Sequence, residues 1–291
     1  MLMPEAGELY GIQAGLLGVS AEKKMVGLNL GLIGSGAGGT MTGINFGGLG
    51  IGSGKTMRGL SVAGFGLAAG KDLKGVALAG FGLGAGESFT GIGIGGFGIG
   101  AGKSLTGITI AGFGTGAGEN LNGFHVAGFG LGAGKNIKGI SLAGFAVGAG
   151  KNMTGLQMAL FGIGAGGTVQ GVSVAGFALG AGKKLRWLNL AGIGLGAPEI
   201  EGISLAGVLI GGKQIKGVAV APGIIKIPER GWFKGFALSA INWNKGKQTG
   251  ISLGLINYAR ELHGLQLGVL NYAGNNPKWL QAMPLINFNF N

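Results

Sequence analysis

The sequence contains no cysteine, a single aspartate (Asp72), two histidines and six prolines in 291 residues. Without cysteine there is no disulfide, no thiolate nucleophile and no thiolate metal ligand, while the compartment is left open. Acid is scarce: 10 Asp and Glu face 22 Lys and Arg, a formal charge of +12. That balance suits an anionic partner surface, although a chain with only 11% charged residues also needs an excess of one sign to stay in solution. No run of about 18 apolar residues escapes interruption by glycine, so no transmembrane helix is expected. The opening residues 1–10, MLMPEAGELY, have neither a basic start nor an apolar stretch. No secretory signal is read there, and a trimmed mature chain would look the same.

What is abundant is glycine, 72 of 291 residues, against a usual share of roughly 7%. That excludes an ordinary globular enzyme. Collagen is excluded because glycine does not fall at every third position and proline is rare. A flexible linker is excluded because 46% of the residues are hydrophobic and mean hydropathy is +0.48, enough apolar material for a core.

The sequence repeats every sixteen residues. Counting a glycine as column one, units open at Gly11, Gly27, Gly43, Gly59, Gly75, Gly91, Gly107, Gly123, Gly139, Gly155 and Gly171, then at Trp187 in register. The spacing then becomes uneven, with openings at Gly202, Gly217, Gly235, Gly250 and Gly264. The expected organisation is a lead-in over 1–10, a repeat array over 11–230, and divergent repeats with an aromatic C-terminal cap over 231–291, all in one domain.

Columns two (Ile92, Ile108, Phe124, Ile140) and four (Ile94, Ile110, Val126, Leu142) are large and apolar, whereas column three holds Asn45, Ser61, Thr109, His125, Ser141, Gln157, Ser173 and Asn189. This alternation reads as a strand with columns two and four inward and column three toward water. Column seven is phenylalanine in eight successive units, from Phe65 to Phe177, and column nine is usually Leu, Ile or Val. Both are expected to face inward on a second strand. Column fifteen (Met57, Leu73, Phe89, Leu105) makes a third apolar wall or plug, and glycine at columns one, six and twelve marks three corners.

A quarter glycine, at about 1 kcal/mol each against alanine, rules out helix. The expected fold is all-β, a β-solenoid with one repeat per coil. The alternative is a closed ring or barrel of repeated strands or hairpins, which would remove sheet edges.

Near the C-terminus the units read Gly250-Ile-Ser-Leu-Gly-Leu-Ile-Asn-Tyr-Ala259 and Gly264-Leu-Gln-Leu-Gly-Val-Leu-Asn-Tyr-Ala273, followed by Pro284-Leu-Ile-Asn-Phe-Asn-Phe290. Over about residues 250–291 this resembles a family of uncharacterised bacterial surface-repeat proteins with G-x-Q-[IL]-G-L-x-N-x-A units; elsewhere column eight is Gly rather than Asn and the match is looser. The resemblance implies a cell-envelope setting and no known catalytic activity. Closed hairpin-based β-flower architectures resemble such repeats too. Asn257 and Asn271 occupy equivalent positions, where aligned side chains are expected to hydrogen-bond to each other and to backbone.

Several segments look chemical without completing a motif. Gly52-Ser-Gly-Lys-Thr56 and Gly100-Ala-Gly-Lys-Ser104 lack the leading glycine of a P-loop, having Leu49 and Phe97 there. His125 and His263 are far apart, have no partner ligands and are expected at the surface. Glu87 and Glu119 stand alone in a turn column, so no paired-carboxylate chemistry is assembled. No enzyme activity, cofactor or metal is expected.

The basic residues do form a pattern. Column thirteen holds Lys55, Lys71, Lys103, Lys135, Lys151 and Lys183; column sixteen holds Arg58, Lys74, Lys138 and Arg186. In stacked coils these make a cationic ridge, interrupted by Glu87 and Glu119. A ridge of this kind fits anionic lipid or envelope polysaccharide; nucleic acid is disfavoured because no aromatics interleave it. Edge protection and solubility are its plain structural use. The sequence therefore reads as a non-enzymatic repeat protein of the bacterial cell envelope (outer membrane, periplasm or surface) presenting an extended binding surface. The alternative is a membrane-embedded ring or pore.

Overall fold

A computed structural model describes residues 5–290. It is almost entirely strand; no α-helix occurs among the described residues, and the one helical turn is the 3₁₀ segment Lys278–Leu280. Contacts divide the chain into two units, one reaching Ala146 and one starting at Val147.

In the first unit, from Gly34 onward, each coil alternates an eight-residue strand with a four-residue strand, for example Ser104–Ala111, Gly114–Ala117 and then Asn120–Ala127. Pairing is parallel with a shift of sixteen: Ile108 meets Phe124 and Thr109 meets His125, while Gly114 meets Gly130. This is a β-solenoid with one repeat per coil, coils stacking at about 4.8 Å. Hairpin-based rings pair neighbouring strands antiparallel; here each repeat closes on itself. The strand Glu5–Gly15 already belongs to the stack, pairing Gly11 with Gly27, although residues 1–4 of the expected lead-in lie outside the described residues.

The second unit keeps the shift of sixteen up to the strand Lys184–Ala191. From there the shifts follow the uneven glycines: Trp187 pairs with Gly202, Gly202 with Gly217, Gly217 with Gly235 and Gly250 with Gly264. The strand Ala282–Asn289 then pairs antiparallel with Ile256–Ala273, Leu265 opposite Phe288. Reversal at the end occupies an edge that would otherwise template further strands.

Each coil has three walls. A four-residue strand spans about 13 Å and an eight-residue strand about 26 Å, so the longer one must bend to close. It bends at column one, where Gly107 has φ 118° and an added Cβ would stand 2.1 Å from the Gly91 carbonyl oxygen. The other corners are columns six to seven and twelve to thirteen, where the amides of Gly112 and Gly118 bond to Gly95 and Ala101 of the preceding coil. Glycine at columns one, six and twelve thus marks the corners, as its spacing predicts. Wall A carries columns two to five, wall B columns eight to eleven and wall C columns fourteen to sixteen.

Inside and outside on wall A are the reverse of the sequence expectation. Ile92, Ile94, Ile108 and Ile110 are each 41–43% exposed, and Leu49, also expected inward, is 63% exposed. Column three is buried instead: Asn45, Thr109, His125, Ser141, Gln157, Ser173 and Asn189 are all 0% exposed, and Ser61 2%. The phenylalanine column faces outward as well; from Phe65 to Phe145 the rings are 40–59% exposed. Columns nine and fifteen are inward as expected, with Leu131 4% and Leu105 0% exposed.

The cause is the width of the coil. Three short walls enclose a narrow prism that holds one bulky side chain at column nine, one at column fifteen, and small or slender ones at three, five and eleven. Where column fifteen is the larger Phe89, column three is Gly93, and a Cβ there would lie 2.9 Å from the Phe89 ring and 3.2 Å from Leu83. No space remains for two more aliphatic residues and a phenylalanine per coil.

In part of column three the buried polar groups bond along the stack, whereas Ser141 Oγ, Ser173 Oγ and the side-chain amides of Gln157 and Asn189 have no hydrogen-bond partner among the described residues. Asn29 Nδ2 donates to Asn45 Oδ1 (2.7 Å), Asn45 Nδ2 to Ser61 Oγ (3.1 Å), and Thr109 Oγ1 lies 2.7 Å from His125 Nδ1. The expected C-terminal ladder is present: Asn242 Nδ2 donates to Asn257 Oδ1 and Asn257 Nδ2 to Asn271 Oδ1, both at 2.7 Å. Backbone carbonyls of Leu267 and Gly268 accept from the Asn257 and Asn271 amides respectively.

Gly107→Ala is expected to cost at least ~2 kcal/mol in chemical denaturation, from its left-handed backbone and the carbonyl contact. Gly100→Ala, whose added Cβ meets nothing within 4 Å, should stay within about 0.5 kcal/mol of the parent. Burial also pushes the His125 pKa below the ordinary imidazole value. The unfolded chain therefore takes up that proton first as pH falls, so the contribution is present above about pH 6.5 and is lost below it. Melting temperature should fall more between pH 7 and 5 for the parent than for His125→Gln; equal slopes would contradict a buried neutral imidazole.

Candidate functional site

The three walls give each coil three chemically different outer faces. Wall C and its corner with wall B hold the basic residues. In the first unit the column-thirteen backbone stacks Lys55, Lys71, Glu87, Lys103, Glu119 and Lys135, with each amide from Lys71 onward bonded at 2.7 Å to the carbonyl of the one before. Lys103 Nζ is 2.8 Å from Glu87, and Lys135 Nζ is 3.0 Å from Glu119. The hydrogen bond from Lys103, reinforced by its charge, holds the Glu87 carboxyl below the usual range. Lys103 and Lys135 are thus partly neutralised, while Lys55 and Lys71 form no ion pair among the described residues.

Column sixteen lies on wall C, beside the corner with wall A. Arg58 and Lys138 are exposed there, and Lys74 approaches Asp72 at 3.8 Å. In the second unit Lys151 and Lys183 occupy column thirteen, while Arg186 Nε sits 3.3 Å from Glu201, which Lys184 also contacts at 2.9 Å. Within each unit the basic residues of the sequence pattern therefore fall at two places, the corner opposite wall A and the edge of wall A. These surface pairs contribute little stability each.

Wall A is the second face. In the first unit Ile44, Leu60, Ile92, Ile94, Ile108, Ile110 and Ile140 are 38–50% exposed. Along its edge the rings of Phe65, Phe81, Phe97, Phe113, Phe129 and Phe145 stack at 4.8–5.0 Å between centroids with planes within 4°. Taking about 200 Å² per ring, these six alone leave roughly 550 Å² of apolar surface in water. The largest apolar patch of a typical monomer is ~300–600 Å² in total, and the aliphatic rows add to this one. In the second unit Phe161 and Phe177 stack likewise, and Ile203, Leu205, Leu238 and Ile251 are 38–47% exposed.

A third feature appears in the uneven coils of the second unit. Arg230, Trp232, Lys245, Lys247, Tyr258, Arg260 and Tyr272 line an open groove of about 780 Å³. The sequence pattern pointed to a cap here, because aromatics cluster after Gly231. The fifteen-residue recurrence of Arg230, Lys245 and Arg260 is the signal that would have exposed the groove.

Other chemically suggestive residues do not converge. His125 is buried, contrary to the surface position expected for it, because column three faces inward. His263 Nε2 lies 2.7 Å from Glu261 on the surface. Among the described residues no three His, Asp or Glu side chains gather as a metal set. Glu87 and Glu119 each face a lysine rather than one another. Comparison with known protein families, with curated proteins and with solved structures finds no match to this chain.

Outward rings predict a mild penalty for their removal. Phe97→Ser with Phe113→Ser should cost below ~1.5 kcal/mol per ring in urea unfolding, against ~3–5 kcal/mol for truncating a core phenylalanine; a core-sized loss would put the rings inside.

Proposed function

We propose that this chain is a non-enzymatic repeat protein of the bacterial cell envelope that lies on an anionic lipid surface, with wall A and the phenylalanine line against the acyl boundary. The observation that carries this reading is the outward apolar wall, continuous over successive coils of the first unit. Inserting about 550 Å² of ring surface supplies on the order of 10 kcal/mol before association costs, at ~25 cal/mol per Å². Each Lys or Arg near an anionic surface adds about 1 kcal/mol. Apolar contact therefore supplies most of the attraction, and charge selects the surface.

With wall A against lipid, Arg58, Lys74 and Lys138 of column sixteen reach the headgroups, because they flank that wall. Column thirteen, at the opposite corner, points away. The ridge expected as a single docking edge thus acts in two parts. An envelope setting also agrees with the resemblance of residues 250–291 to surface-repeat proteins.

Vesicle flotation tests this. The protein should float with phosphatidylglycerol-containing vesicles, less with phosphatidylcholine alone, and Phe97→Ser with Phe113→Ser and Phe129→Ser should remove most of the bound fraction. Equal flotation of parent and triple variant would reject it, as would a stable dimer by light scattering that ignores vesicles, since wall A would then pair with a second copy.

A further inference from the structure

The groove of the second unit is built from two parallel ladders, a cationic one and an aromatic one that the regular coils lack. In the coil opened by Gly235, Asn242 and Asn244 face inward, so Trp243 between them faces outward on wall B. Regular coils have glycine there, as at Gly100 and Gly116. Successive coils stack Tyr258 on Trp243 and Tyr272 on Tyr258, with centroids 4.6 and 5.0 Å apart. Beside them, at the corner between walls B and C, stand Arg230, Lys245 and Arg260, all exposed.

The corner is ordered by its own backbone bonds. Asn244 accepts from the Gly246 amide (2.9 Å) and donates to the Lys247 carbonyl (3.1 Å), fixing the bulge that carries Lys245. One acid, Glu261, lines the groove and pairs with His263 and Lys247, at 2.7 and 3.3 Å, while Glu229 approaches Lys245 at 4.0 Å. Arg230 and Arg260 form no ion pair among the described residues.

We propose that this groove binds an acidic polysaccharide, a sugar chain whose carboxylates run along the Arg230–Lys245–Arg260 ladder while the edges and hydroxyls of Tyr258 and Tyr272 meet the sugar hydroxyls. The stacked rings turn their faces to one another and present edges outward, which suits hydroxyls and anions but denies nucleic-acid bases the faces they stack on. Cations recur once per coil, at about 4.8 Å, close to the rise of one sugar residue. An extended acidic peptide repeats a same-side carboxylate only every ~6.6 Å and falls out of step. Guanidinium groups add paired donors matched to carboxylate geometry. The groove lies at the corner opposite wall A of its own unit, and it does not depend on the lipid reading.

The test uses the full chain and a defined oligogalacturonate, with neutral dextran as control, in isothermal titration calorimetry. Binding of the oligouronate, weakening with salt and absent with dextran, is expected. Arg230→Gln with Lys245→Gln and Arg260→Gln should weaken it at least about tenfold by removing the charge-assisted bonds, with the circular dichroism spectrum and vesicle flotation unchanged. Lys55→Gln with Lys71→Gln should leave saccharide affinity within about twofold, because those side chains lie outside the groove. An equal loss in both variants, no binding by the folded parent, or equal affinity for inorganic phosphate would each overturn the proposal. Loss of flotation with saccharide binding intact would reject the lipid reading alone.

Discussion

Backbone stacked on backbone is the constraint from which the rest follows. At columns one, six and twelve the chain of one coil runs so close over the carbonyls of the coil before it that Gly107, Gly112 and Gly118 have a neighbouring oxygen at 2.0–2.1 Å from where a Cβ would stand. Glycine relieves this crowding at nearly every corner, Trp187 at column one (φ 81°) and Leu160 at column six being departures, so each turn closes tightly and the interior is thin. The glycine content is thus a consequence of coil size.

A thin interior exports bulk. With one large side chain at column nine, one at fifteen and small groups elsewhere, the remaining aliphatics and the column-seven phenylalanines must sit outside. Polar side chains take the inner row because they are slender, and in the early coils Asn29, Asn45 and Ser61 also bond along the stack. The outcome is a prism with an apolar wall, a glycine wall and a basic wall, whose separation makes distinct partners on distinct faces possible. Where glycine on wall B gives way to Trp243, Tyr258 and Tyr272, the same corner that carries scattered lysines elsewhere becomes a groove.

Much of this was legible in the sequence. The sixteen-residue period, the parallel stack, the three corners, the inward columns nine and fifteen, and the ladder of Asn257 and Asn271 all follow from spacing, because a repeat in register must place equivalent residues one above another. The basic columns were legible as lines on the surface. The direction of columns two, three, four and seven was not: alternation reveals that neighbours face opposite ways, and hydrophobicity then suggests the wrong one is inside when the coil is too narrow to accept it. The groove escaped for a different reason, since shortened units blur the column in which Arg230, Lys245 and Arg260 align.

Periodicity and backbone freedom belong to the chain itself, so the order of residues was enough to define the kind of object, a stack of sixteen-residue β coils with glycine corners. Which faces meet water came from the closed coil alone, because the volume left inside depends on all three walls at once. Phe89 opposite Gly93 is the plain instance: neither column alone tells that one ring fills the space its neighbour leaves empty.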